Sequence, residues 1–362
     1  MFWREVHLML DYELLEKLCR ADGIAGREDE VRELILCEIG GHADSITIDN
    51  LGNILVFKKG ARPAPKKLLI SAHMDEVGFI VTYINDDGTL QFAPVGGINS
   101  SAVYSRRVRI GEHKIRGVVN TKPVHLTTGE ERKEYPDITD YRIDIGADSR
   151  EEAEAYIQVG DMITFDSIYE DRHGRIISKA LDDRVGCLVL IELIKSELPF
   201  DMYFSFVVQE EIGLRGAKAA AFTIAPDSAI VVEGTTASDL PGIEGADRVC
   251  LMGGGAVVSL IDGSTIYDRD YYRTAMDYAA ANGIKAQTKS KVAGGNDAGT
   301  IHVSRGGVRT AAVSVPCRYI HSASSIASKE DIEAVYQVVR GLAEAILGKE
   351  QDTAVHVQGT QS

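Results

Sequence analysis

Long apolar runs are missing from this 362-residue sequence. Although 44% of it is apolar, no stretch approaches the ~20 uninterrupted apolar residues of a membrane span. Paired cysteines are missing too. Cys19, Cys37, Cys187, Cys250 and Cys317 form no CxxC, and an odd number scattered over so long a chain reads as reduced thiols in a reducing compartment. The first residues carry Glu5 and Asp11 among their apolar neighbours and lack the basic-then-apolar layout and small-residue cleavage site of an exported protein. A cytoplasmic protein with no membrane partner is expected. Positive charge is scarce: 39 Lys and Arg face 54 Asp and Glu, a formal net charge of -15. That balance argues against nucleic acid, whose phosphates need Lys and Arg to neutralise them. The acid excess aids solubility and supplies metal-binding carboxylates, so by itself it decides nothing about substrate. Internal repeats and low-complexity tracts are absent as well.

The length exceeds one ordinary domain, and two are expected. A helix near Leu14 to Cys19 is followed by a Gly23 to Gly26 break. Val31, Leu34, Ile35 and Ile39 then recur at helical spacing. Asp49 to Asn53 reads as the turn of a hairpin between SITI and ILVFKK, and KKLLISAH as a buried strand ending at His73. From Val77 to Phe165 short β runs (VGFIVTYI, GTLQFAPV, VRIG, KIRGVV, DMITF) alternate with Gly, Asn and Asp, which predicts an inserted all-β domain over 77–165. From Ala180 helices and strands alternate until a closing helix over Lys329 to Leu347. This predicts an α/β domain made of 1–76 and 166–348, with a mainly parallel or mixed sheet flanked by helices. The polar segment 349–362 is expected to be a disordered tail.

Ligands of α/β sheets collect beyond the carboxyl ends of the strands, and here those ends share one chemistry. LLISAHMDE ends in His73 and Asp75, the loop opening the helix at Ala180 holds Asp182 and Asp183, SFVVQEE ends in Glu210 and Glu211, AIVVE in Glu233, and AAVSVPCRYIH in His321. Histidine and carboxylate without partnering cysteine suit a borderline cation such as zinc, cobalt or manganese in a catalytic role. The set is large enough for two ions, which typically lie ~3.5–4 Å apart and activate a shared water. One further carboxylate must stay free to move the proton. Adjacent Glu210 and Glu211, pointing different ways at a strand end, fit that division. His73 and Asp75, two apart on a strand, would let the carboxylate orient the imidazole. Taken singly, each of these residues reads more often as surface decoration, and it is the gathering of so many strand ends that changes the odds; Asp182-Asp183 also reads as a helix N-cap. Gly253 to Gly255 lacks the Gly-Lys-Ser/Thr of a phosphate loop and reads as a tight turn. Gly294 to Asp297 reads as a turn capping the next helix, and His302 is left facing either the site or the core. His7, His42, His113, His173 and His356 read as surface residues.

DNLGN (Asp49 to Asn53), SAHMDEVGFIV (Ser71 to Val81), DIGADSREEA (Asp144 to Ala153), ALDDRVG (Ala180 to Gly186), QEEIGLRGA (Gln209 to Ala217), GGNDAGTIH (Gly294 to His302) and PCRYIHS (Pro316 to Ser322) run in order over nearly the whole chain. In them the chain resembles the tetrahedral, or glutamyl/deblocking, aminopeptidase family of dinuclear metallopeptidases. The resemblance implies a zinc-exopeptidase-like fold with a PDZ-like inserted barrel that drives dimerisation, dimers building a tetrahedral dodecamer. It implies two divalent ions per subunit, zinc first among them, held by His73, Asp182 and Glu233 and by Asp182, Glu211 and His321. Glu210 falls on the family's general base and Asp75 on the residue orienting the first histidine. Peptides with a free amino terminus are the implied substrates. Two departures stand out: Glu233 where many relatives have Asp, and Cys317 where Thr is common. The alternatives are a related two-metal carboxypeptidase or deacylase, a glycosidase using paired carboxylates, and a catalytically silent metal-stabilised shell protein.

Overall fold

The structure is a computed structural model and describes residues 10–131, 133 and 136–358. Trp3 and His7 lie outside the described residues, as does 359–362. Two amphipathic helices, α1 (Tyr12–Arg20) and α2 (Asp29–Ile39), open the chain. Asp11 caps α1 by accepting the Leu14 N–H at 2.9 Å, and Val31, Ile35 and Ile39 are the buried face of α2. The predicted hairpin is β1 (Ser45–Ile48) and β2 (Ile54–Lys58), and β3 (Leu68–His73) is the buried strand before the site.

The chain then leaves the sheet and closes a six-stranded barrel. Its strands are β4 (Gly78–Ile84), β5 (Leu90–Val95), β6 (Arg107–Ile110), β7 (Ile115–Asn120), β8 (Arg142–Asp144) and, after the short α3 (Arg150–Glu154), β9 (Met162–Phe165); the order around the barrel is β4-β5-β8-β7-β6-β9. Full closure leaves the barrel no free sheet edge. Phe79 stands at its centre, edge-on to Phe92 and Phe165 at 5.0 and 5.4 Å. A charged seam ties the barrel to the rest: Asp22, beyond α1, pairs with Arg109 and Lys114 and accepts a bond from Thr164 Oγ1 at 3.1 Å.

Returning, the chain forms β10 (Glu170–Arg172), β11 (Arg175–Ser178), α4 (Leu181–Lys195), β12 (Met202–Val207), α5 (Arg215–Ile224), β13 (Ser228–Thr236), β14 (Ala256–Val258), α6 (Arg269–Ala281), β15 (Ala286–Thr288), α7 (Ala298–Ile301), β16 (Arg309–Arg318), β17 (Ser325–Ser328) and α8 (Lys329–Gln358). Helical backbone therefore continues past Leu347, where the sequence was expected to turn into a tail. The sheet order is β1-β2-β12-β3-β13-β16-β17-β11-β10, with β14 on β16 and β15 on β14. Only β12, β3, β13 and β16 are mutually parallel. The flanking pairings are antiparallel except β14 with β15, so the sheet is mixed.

Both faces are covered, which explains why the central strands are continuously apolar rather than alternating. Along β13, Ile230 and Val232 join the core with α4 and α8, while Ala229 and Val231 pack with Ala217 and Ala221 of α5 and Ala298 and Ile301 of α7. The Gly253 to Gly255 segment is a turn, as its sequence suggests. Its amides at Gly253 and Gly255 donate to the Asp331 carboxylate at 2.6 and 2.7 Å, so the anion they hold belongs to the first turn of α8.

Candidate metal centre

Because the four central strands are parallel, their carboxyl ends share one edge, and the site is built there. His73 is the last residue of β3 and lies in register with Val207, the last of β12. Glu210 and Glu211 follow in the turn after β12, Glu233 lies within β13, and His321 stands just beyond β16. Asp182 and Asp183 open α4 in non-helical conformations. All seven residues singled out by sequence for metal binding or catalysis are gathered at this edge or directly behind it.

The two histidines are set the same way. His73 Nδ1 donates to the Asp75 carbonyl at 3.0 Å, and His321 Nδ1 to the Gly97 carbonyl at 2.9 Å. A carbonyl can only accept, so each Nδ1 carries the proton and each Nε2 offers its lone pair to the cleft. Between them lies Asp182, with Oδ1 3.5 Å from His73 Nε2 and Oδ2 3.8 Å from His321 Nε2. His321 Nε2 is also 3.4 Å from Glu211 Oε2. His73, Asp182 and Glu211 bring one donor atom each within 4.8 Å of one another, as do His73, Glu210 and Glu233. His73 is common to both groups.

Several features make room for a cation. A Cβ on Gly234 would stand 2.8 Å from Asp182 Oδ1, so glycine alone leaves that carboxylate where it is, and the Gly234 N–H donates to it at 3.2 Å. Glu233 is buried and its Oε2 has no hydrogen-bond partner. Burial, reinforced by neighbouring acids, pushes Glu210, Glu211 and Glu233 well above the usual carboxylate range. Carboxylates stacked out of water this closely are stable only when protons or cations share them. The oxygen and imidazole donors fit a borderline divalent ion.

The roles behind the site differ from the expected ones in detail. Since β3 ends at His73, Asp75 no longer follows strand parity. Its carbonyl takes the imidazole N–H, leaving its carboxylate 3.5 Å from Nδ1. That carboxylate instead accepts the N–H groups of Glu210 and Glu211 at 2.9 and 3.0 Å. The Asp182-Asp183 pair divides its two readings: Asp183 caps α4 through Gly186 N at 2.9 Å and also accepts the His73 N–H at 3.2 Å, while Asp182 faces the cleft.

Sequence reasoning passed over two buried acids. Asp297, read as part of a turn, is buried with neither carboxylate oxygen hydrogen-bonded, and burial, with the Asp75 charge added and against the opposing pull of His73, raises it to about 7. The helix-capping bond expected of that turn comes from Asn296 Oδ1, which accepts the Ala298 N–H at 2.9 Å. Glu28 accepts the Gly26 and Gln209 N–H groups through one oxygen, holding the turn that precedes Glu210. Glu28 lies in none of the motifs, and Asp297 lies in GGNDAGTIH without being singled out there. His302 gives its Nδ1 to the Ala298 carbonyl one turn back, and His42, His113 and His173 are exposed. Cys317 is fully buried in β16, and burial pushes its thiol well above the usual range, which suits silent packing.

A model of the M42 glutamyl aminopeptidases matches residues 52–338. Lysyl aminopeptidase of Pyrococcus furiosus is 33% identical over 350 residues, covering 93% of this chain and 98% of that protein. The TET aminopeptidase of the marine sediment archaeon Thaumarchaeota archaeon SCGC AB-539-E09 superposes with a TM-score of 0.88 at 35% identity, over 91% of this chain and 95% of that one. The TET1 peptidase of Pyrococcus horikoshii, described as assembling into a tetrahedron or a large octahedral shell, does so with a TM-score of 0.80 at 34% identity, over 92% and 98%.

Proposed function

The chain belongs to the M42 glutamyl aminopeptidase family, and from that premise we propose how its acidic cleft shortens peptides from their amino terminus. It is a metal-dependent aminopeptidase, a hydrolase of peptide bonds. In our reading two divalent ions share the cleft, one held by His73, Asp182 and Glu233 and the other by Asp182, Glu211 and His321. Asp182 carries the reading: its two oxygens face two different imidazole Nε2 atoms, as a bridging carboxylate must. Zinc is the first choice for this donor set, with cobalt and manganese compatible.

Such a pair of ions, when bound, lowers the pKa of a shared water and polarises the carbonyl under attack. In this reading Glu210, although close to His73 and Glu233, is kept off both ligand sets. Its carboxylate takes the proton of the attacking water and hands it to the leaving nitrogen. Asp75 fixes where that carboxylate stands by gripping the Glu210 and Glu211 amides. The catalytic unit comprises 1–76 and 166–348, and the barrel of 77–165 joins subunits into dimers and then a tetrahedral dodecamer. The assembly described for the Pyrococcus horikoshii peptidase supports this extension. Among the described residues no helix is long and apolar enough to cross a membrane. The five free thiols support a cytoplasmic setting.

The test is a mixed peptide panel, free or acetylated at the amino terminus, incubated with metal-loaded protein with and without chelator and read by mass spectrometry. Stepwise, chelator-sensitive loss from free amino termini is expected. Trimming from the carboxyl end, or no cleavage, overturns the reading.

A further inference from the structure

The two ion sites differ in what holds them. In the first, His73 is fixed by the Asp75 carbonyl and the Asp183 carboxylate, Asp182 by the Gly234 N–H, and Glu233 lies within β13. These groups all come from the segments that build the sheet and α4, and the His73 side chain is 2% exposed. In the second, His321 stands beyond the end of β16 with its side chain 36% exposed. Tyr319 and His321 take φ values of +60° and +58°, a conformation that non-glycine residues keep only where their surroundings impose it. On the upstream side Arg318 pairs with Asp239 through two bonds of 2.7 and 2.8 Å. On the downstream side the support comes from the inserted barrel.

That support is a loop leaving β5. Ile98 packs against the barrel core, and Asn99 Oδ1 accepts the Ser101 N–H at 2.9 Å. Between β5 and this anchor the loop meets the second site twice. Gly97 gives its carbonyl to His321 Nδ1 at 2.9 Å. Gly96, at φ +87°, lies so close to the other ligand that a Cβ would stand 3.3 Å from Glu211 Cβ and 2.8 Å from Val77 Cγ1. Contact also runs the other way: Ala323, two residues past His321, is buried in the same cluster as Phe79 at the centre of the barrel. The space bounded by Val77 and Phe165 on one side and Asp182, Glu211 and His321 on the other is about 10 Å³, room for roughly one water.

An imidazole offers its lone pair well only when the group on its far nitrogen has set the ring, and for His321 that group belongs to the barrel. We propose that the barrel is a working part of the metal centre: the Gly97 carbonyl positions His321, so the barrel sets the affinity for the second ion and leaves the first to the sheet. This rests on the two-ion reading and adds a dependence that lies outside the ligands themselves.

The test titrates the metal-free full chain with Zn²⁺ by calorimetry, resolving the two binding steps, with circular dichroism measured beside it. In Gly96→Ala the new Cβ strains a left-handed residue and collides with Val77, so the loop lifts and takes the Gly97 carbonyl with it. The first step should be unchanged and the second weakened by about 10- to 100-fold. Ile98→Ala, which loosens the anchor without touching the site, should weaken the second step in the same direction. Gly88→Ala is the control: at φ +81° its Cβ would stand 2.5 Å from the Ala147 carbonyl oxygen, straining the same barrel elsewhere, and both steps should survive. If Gly96→Ala does not fold, the comparison of Ile98→Ala with Gly88→Ala decides. Two undiminished steps in the folded loop variants overturn the proposal, as does an equal loss of both ions. A second step lost in Gly88→Ala as well overturns it too, because barrel stability in general would then be the cause. A wild-type chain that takes up one ion overturns the two-ion reading itself.

Discussion

Asp75 Oδ1 accepts the backbone N–H of Glu210 at 2.9 Å, so a buried acid behind the first histidine holds the main chain of the catalytic base. Its other oxygen holds Glu211 at 3.0 Å. Asp75→Asn keeps one acceptor but turns an amide N–H toward one of the two backbone donors. Support of this kind, one residue removed from the ions, is typically worth about 10- to 100-fold. A fall of that size in kcat/KM is expected, with metal content reduced less than activity, as measured by steady-state kinetics beside elemental analysis. Full activity in Asp75→Asn would remove the clamp from the mechanism.

Glu210→Gln separates proton transfer from metal binding. The two ligand sets remain complete, so two ions per chain should still be found, while kcat falls by about 10²- to 10⁴-fold. Retained turnover would sink the assignment of Glu210 as base.

Gly234→Ala tests the bridging carboxylate without touching a ligand. The new Cβ would meet Asp182 Oδ1 at 2.8 Å, and Asp182 must move away from one imidazole or both. Metal affinity should drop by about 10-fold or more with the circular dichroism of the fold preserved. An unchanged affinity would show that Asp182 yields without consequence.

A pH effect follows from Glu28. Burial raises its pKa from an ordinary 4.5 to about 7, so between those values the folded chain binds more protons than the unfolded one. Stability therefore falls as pH rises through this window and levels off above it. Glu28→Gln keeps the oxygen that accepts both backbone amides and cannot ionise. Relative to wild type it should gain about 1–3 kcal/mol between pH 5 and pH 8, measured by urea unfolding. A constant difference across that range would rule out Glu28 as the titrating group.

The site was legible in the sequence because the apolar runs of β3, β12 and β13 give way to His73, Glu210 and Glu233, although β13 itself continues to Thr236, and parallel neighbours bring such residues together. The barrel was legible from its turn residues, except for β8. That strand is three residues long with Arg142 and Asp144 on either side of Ile143, too short for alternation to register. Asp75 stands beside His73 as expected, its carboxylate 3.5 Å from Nδ1, but its hold on the Glu210 and Glu211 amides has no signal in the sequence. Glu28 escaped because its meaning comes from burial against distant parts of the chain, which no local pattern records, and Asp297 because its motif reads locally as a turn. The split between Asp182 and Asp183 likewise depends on the turn into α4 and not on the dipeptide itself.

His73 and His321 face opposite oxygens of one carboxylate, yet about two thirds of the chain lies between them, and β16 must pair with β13 before His321 can arrive. A chain still being synthesised has its barrel and most of its sheet well before it has both imidazoles. In the two-metal reading the complete donor set therefore exists only in the assembled sheet, with neither end of the chain sufficient alone.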